Sequence, residues 1–114
     1  MPVFKSVARF TVESTQYEPL PAFGGSMAIL HRSPDKTRIA GAFRETGTHQ
    51  MQMPFDEFIY VIAGSVKISV AGGETFTLSK GDACYLQQGQ EITFEMSDDF
   101  HDVSVLMSDS PIDV

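Results

Sequence analysis

Between Val66 and Phe94 the chain is cut at short intervals by glycine-bearing turns, and that spacing restricts the fold more than any other feature. AGGE (71–74), SKGD (79–82) and QQGQ (87–90) separate runs of four to five residues rich in β-branched and aromatic side chains. Such runs are too short for stable helices but fit strands, and a glycine pair that admits positive φ suits a tight hairpin. The same texture extends in both directions. It predicts strands near Val3–Phe10, Met27–Arg32, Thr37–Arg44, Glu57–Ala63, Val66–Val70, Glu74–Leu78, Ala83–Leu86, Glu91–Glu95 and Val103–Met107. Helix signals are weak throughout. An all-β antiparallel sandwich or barrel follows.

The length of 114 residues fits one domain. The stretch 13–26, ESTQYEPLPAFGGS, carries two prolines and two glycines and reads as a loop or an arm crossing the barrel. The tail SDSPIDV reads as loosely held. Repeats and low-complexity tracts are absent from the sequence.

Charge and cysteine usage exclude several functions. A net charge of -7 disfavours nucleic acid and anionic membranes, which call for a basic patch. No apolar run approaches the roughly 20 residues that span a bilayer, and MPVFKSVARF lacks the apolar segment and cleavage site of a signal peptide. A cytoplasmic location is expected. The lone cysteine, Cys84, sits in the apolar run DACYLQ, where a buried inert thiol is the natural reading.

Two stretches carry a family resemblance. Glu57 is followed by FIYVIA and then Gly64, and Gly81 by DACYL, then Gln87-Gln88-Gly89. This pattern resembles the two motifs of the cupin superfamily, and the resemblance implies a single-domain jelly-roll β-barrel. In that family two histidines precede the glutamate and a third belongs to the second motif, just after its Pro-x-Gly. Here those positions hold Met51 and Met53 (or Gln50 and Gln52 at the longer spacing) and Ile92, and Gln87 replaces a proline. Gly47, Asp56, Glu57, Gly64, Gly73, Gly81, Asp82 and Gly89 are similar to one metal-poor cupin group. That group includes the ethanolamine-utilisation cupin and the domains of (S)-ureidoglycine aminohydrolase. The resemblance implies a cupin core over residues 41–107, an N-terminal strand or arm over 1–26, and a homodimer in which Val3–Phe10 crosses to cover an open sheet edge.

Of the usual cupin ligands only Glu57 is present, so no metal cofactor is expected. Zinc, manganese and iron want several His nitrogens and carboxylate oxygens, whereas the thioethers of Met51 and Met53 suit only Cu(I) and read better as flexible apolar filling. Glu57 opens a strand whose two faces are both apolar (Ile59 and Val61; Phe58, Tyr60 and Ile62), so the strand is expected to be covered on both sides. A carboxyl there is partly desolvated, which raises its pKa and suits acid–base work; the plain reading is a hydrogen-bond acceptor. His49 falls in an expected loop, 47–54, which Pro54 turns towards the mouth. His101 falls near the barrel rim, and His31 on the surface. The expected ligand-binding set is His49, Met51, Met53, Glu57, Tyr85, Ile92 and Phe94, an apolar cup with few polar anchors. Arg38 and Arg44 share a strand face and clamp an anion only if that face points inward.

Three functions fit this pattern. One is a metal-independent cup for a small polar or carbohydrate-like metabolite. Another is an aminohydrolase- or isomerase-like enzyme on a nitrogen-rich or sugar-acid metabolite with Glu57 as acid–base, with or without a metal. The third is an interaction protein whose barrel is merely a filled core.

Overall fold

The structure, a computed structural model, describes residues 5–114. Among them ten strands form: β1 (Glu18–Leu20), β2 (Gly25–Arg32), β3 (Arg38–Arg44), β4 (Gly47–Gln52), β5 (Asp56–Ala63), β6 (Ser65–Val70), β7 (Thr75–Ser79), β8 (Ala83–Leu86), β9 (Glu91–Met96) and β10 (His101–Met107). They make a six-stranded sheet, β1-β2-β3-β10-β5-β8, and a four-stranded sheet, β4-β9-β6-β7. From β3 onward the pairings are nested: β3 with β10, β4 with β9, β5 with β8 and β6 with β7, all antiparallel. A long hairpin folded over on itself gives this order, which is the jelly roll.

Period-two alternation sorts the side chains. In β5, Ile59 and Val61 are buried between the sheets while Phe58 and Tyr60 point outward. The facing residues of β6 and β9, Val66, Ile68, Ile92 and Phe94, complete the main core. The turn between β5 and β6 depends on Gly64, whose φ of +69° belongs to the left-handed region. A Cβ there would meet the Phe100 Cα at 2.8 Å and the Ser97 Oγ at 2.6 Å.

Five sequence expectations change. Residues 5–10 of the expected first strand lie outside any strand, Val7 is exposed, and positions 3–4 fall outside the described residues. The edge beside β2 is taken instead by β1, from the stretch read as a loop. Gly47–Gln52 is not a loop but strand β4, paired along its length with β9. Strand β5 is not covered on both sides, since Phe58 and Tyr60 keep about 40% and 39% of their surface. The tail is not loose: Ile112 is buried, and its N–H donates to the Lys36 carbonyl at 2.8 Å.

Candidate functional site

Between the two sheets lies a cavity of about 190 Å³. The larger sheet contributes Phe43, Ile59 and Leu106, and the smaller sheet Met51, Val66, Phe94 and Met96. Its cover is the turn of 3₁₀ helix at Pro21–Phe23, from which Ala22 and Phe23 reach the cavity, together with Leu20 of β1. That stretch, rather than 47–54, lies over the cup.

Every polar side chain lining this cavity is a carboxylate: Glu45, Glu57, Asp102 and the exposed Asp113. Three of them arise from one rule of alternation. Glu57 shares the inward face of β5 with Ile59 and Val61. Glu45 extends the inward series Ile39, Gly41, Phe43 one step beyond β3. Asp102 and Leu106 point inward from β10, which lies between β3 and β5. Adjacent strands therefore bring residues 45, 57 and 102 to one apolar space.

Their electrostatics follow from that placement. Burial, and next the charge of Glu45, pushes the Glu57 carboxyl up to about 8. Burial pushes Glu45 up to about 7. Asp102 is raised well above its ordinary value by burial first and then by the charges of Glu45 and Glu57. Glu57 is half-buried and lines the cavity. The Ser104 hydroxyl donates to Asp102 Oδ2 at 3.1 Å, whereas Asp102 Oδ1 is buried without a hydrogen-bond partner. Among the described residues no Lys, Arg or His lines the cavity, and the one ion pair, Lys67–Glu95, is exposed. Buried carboxyls without a cation hold their protons, because ionising them in an apolar space is costly.

The expected site residues separate into groups. Met51, Glu57 and Phe94 line the cavity. Met53 and Ile92 are buried in the main core and do not reach it. His49 is on the inward face of β4, opposite Phe94, but its ring packs edge-on against Phe23 at 5.1 Å. Its Nε2–H donates to the Thr46 carbonyl at 2.7 Å, since a carbonyl can only accept. Tyr85 does not belong to the cup: it pairs with Phe58 on the outer face and is 50% exposed, and its hydroxyl donates to Asp56 Oδ2 at 2.6 Å. Asp56 also accepts the Gln88 N–H at 2.8 Å, so it braces the turn at 87–90. Arg38 and Arg44 lie on the outward face, Arg44 stacking over the Tyr17 ring at 4.6 Å. His101 also faces outward, with its Nε2 at 2.7 Å from the Tyr17 hydroxyl. Cys84 is half-buried, and burial, then the Glu57 and Asp102 charges, push its thiol up to about 11, so it stays protonated.

Two residues that sequence reasoning passes over, Glu45 and Asp102, belong to the cavity. The legible signal was the parity of DVSVL, in which an inward Leu106 makes Asp102 inward as well. A cupin metal does not fit these residues. The histidine positions of the motif hold Met and Ile, and among the described residues no three His, Cys, Asp or Glu side chains are arranged to hold a metal ion.

Comparison with known proteins agrees with this architecture. A family model described as the EutQ-like cupin domain matches residues 32–101. Among solved structures, a putative ethanolamine utilization protein Q from Salmonella typhimurium is 18% identical with a TM-score of 0.70, over 83% of this chain and 80% of that one. KdgF from Halomonas sp. is 18% identical with a TM-score of 0.69, over 86% of this chain and 92% of that one. Ectoine synthase from P. lautus is 18% identical with a TM-score of 0.66, over 77% of this chain and 65% of that one, just under two thirds of its length. No curated protein sequence matches this chain significantly. At these identities the solved structures speak for the fold alone, and their names span different functions.

Proposed function

The chain belongs to the EutQ-like cupin domain family, and from that premise we propose that its cup binds a small polar metabolite directly through side chains, without a cupin-type metal. The observation that carries this reading is the apolar cavity with Glu45, Glu57 and Asp102 converging in it. Small-molecule sites combine apolar walls with a few convergent polar groups in this way. The volume of about 190 Å³ suits a compact ligand; a dry cavity of about 150 Å³ accepts benzene. Mass spectrometry of small molecules released on denaturing the purified protein tests the reading. A stoichiometric compound whose rebinding shifts the NMR signals of Met51 and Phe94 supports it. Rebinding that leaves the cavity signals unmoved and shifts the outer sheet instead would refute it.

A second reading has its own support. A carboxyl with a pKa of about 8 exchanges protons near neutral pH, which is what a general acid–base needs. On this reading Glu57 acts on the bound metabolite, and Glu57→Gln abolishes turnover while leaving binding within a few-fold. Unchanged turnover in that variant removes the enzyme reading.

Self-association completes the proposal. Phe58, Tyr60, Tyr85 and Val105 are neighbours across β5, β8 and β10 and all are exposed on the outer sheet. A homodimer covers that stripe.

A further inference from the structure

The cavity differs from a general polar pocket in the sign and kind of its polar groups. Its polar side chains are all carboxyls: among the described residues no amide, hydroxyl or basic side chain lines it. An anion finds no cation there, and a sugar finds carboxyls at one locus and apolar walls for its remaining hydroxyls. Asp102 is 2% exposed, and its Oδ1 is buried without any partner, while Ser104 has one proton to give and gives it to Oδ2. Once Asp102 is ionised, that bare buried oxygen is costly, so the ionised site wants a donor supplied from outside. The walls supply a matching preference. Phe23, Phe43, Phe55, Phe94 and Phe100 all line the cavity, and aromatic faces attract cations.

Resting on the reading that the cup binds a small molecule, the geometry points to the ligand class: a small protonated amine with a compact apolar body. Its ammonium N–H groups pair with the Glu57 carboxylate, and a turn of the Asp102 side chain brings its shielded Oδ1 to the same cation. The carbon body lies between Phe94 and Met51. A cation–π contact in a desolvated site adds to the charge pairing. A ligand of roughly six to nine heavy atoms is appropriate, given a volume somewhat above the roughly 150 Å³ that holds benzene.

Binding then displaces protons. In the empty cup the carboxyls are held protonated by burial and by one another, and Glu57 gives up its proton only near pH 8. The groups that face Glu57 are Glu45 beyond β3, Asp102 and Ser104 on β10, and Cys84 on β8. Asp113 lies at the same cavity. None of them carries a positive charge that competes with the amine. Each amine that docks on a carboxylate releases one proton, so affinity rises with pH up to about 8.

The test uses the full chain with benzylammonium and its neutral isostere benzyl alcohol, followed through the methyl NMR signals of Met51 and Met96 at pH 6 and pH 8. The expected result is that benzylammonium shifts both methyls. It should bind about tenfold or more tightly at pH 8 than at pH 6, and about tenfold or more tightly than the alcohol at pH 8. Asp102→Asn removes the preference for the amine, and Glu57→Gln, a milder change, removes its pH dependence. If the alcohol binds as well as the amine, the cup is a small-molecule site but the amine inference is overturned. If neither probe moves the methyls, both the inference and the binding reading fall.

Discussion

Replacing Glu57 by Gln should make the protein more stable at alkaline pH, the opposite of what losing a polar interaction usually does. The folded-state pKa of Glu57 is raised from 4.5 to about 8, chiefly by burial. Above pH 4.5 the unfolded chain is ionised at this position while the folded chain still holds the proton. The folded state therefore binds more protons, and stability falls as pH rises. The stabilisation from keeping Glu57 protonated is complete below about 4.5 and is lost as pH climbs through about 8. At 1.36 kcal/mol per unit the full shift corresponds to roughly 5 kcal/mol. Water entering the half-open cup and the coupling to Glu45 and Asp102 reduce this, so about 2–4 kcal/mol is expected between pH 5 and pH 9. That is a large share of the ~5–15 kcal/mol that holds a domain together. Urea unfolding of wild type and Glu57→Gln at pH 7, 8 and 9 measures it. His101, whose pKa is lowered by burial and by Arg44, acts with the opposite sign below about pH 6.5 and stays outside this window. Wild type should weaken across the series, and the variant should gain on it at each step. A difference between the two that is flat from pH 7 to pH 9 would refute the placement of Glu57 in an apolar, carboxyl-lined cavity.

Other outcomes follow from the same geometry. Ser104→Ala removes the hydroxyl that lowers the carboxyl pKa values of Asp102 and Glu57, so carboxyl 13C titration should show both moving further up. Gly64→Ala forces a side chain into a left-handed turn against the Phe100 backbone and should cost about 2–4 kcal/mol in chemical unfolding. Ile112→Ala should cost about 2 kcal/mol at the low end for a buried isoleucine, whereas a loosely held tail would give no change. Phe58→Glu should abolish any dimer seen by light scattering without lowering monomer stability by more than about 1 kcal/mol, because Phe58 is already exposed.

The legibility of this molecule in its sequence depended on how local each signal was. Hairpins such as 66–78 were plain because the glycine pair and both flanking strands lie within a dozen residues. Strand β4 was hidden because its outward positions, Thr48, Gln50 and Gln52, are polar and its inward ones are His49 and Met51, so alternation with Thr48 as its one β-branched residue, just before Pro54, imitates a loop. The outer face of β5 misled in the other direction: Phe58 and Tyr60 are apolar enough to suggest a covering layer that the described residues do not supply. Glu57 stood out through its spacing to Gly64. Glu45 and Asp102 did not, because each sits at a strand end, where facing depends on the register of partners more than 40 residues away.

The position of β10 carries a consequence for how the site comes into being. It is the last strand in chain order, yet it lies in the middle of the larger sheet, hydrogen-bonded to β3 on one side and β5 on the other. Until it inserts, the strands bearing Glu45 and Glu57 have no bridge between them, and Asp102 is absent from the cup. Such distant pairing pays its loop-closure entropy early and folds slowly. A chain emerging from the ribosome thus acquires most of its hairpins before it acquires any receptor. Occupancy of the cup reports that the barrel has closed, and a ligand present during synthesis rewards only molecules that have finished folding.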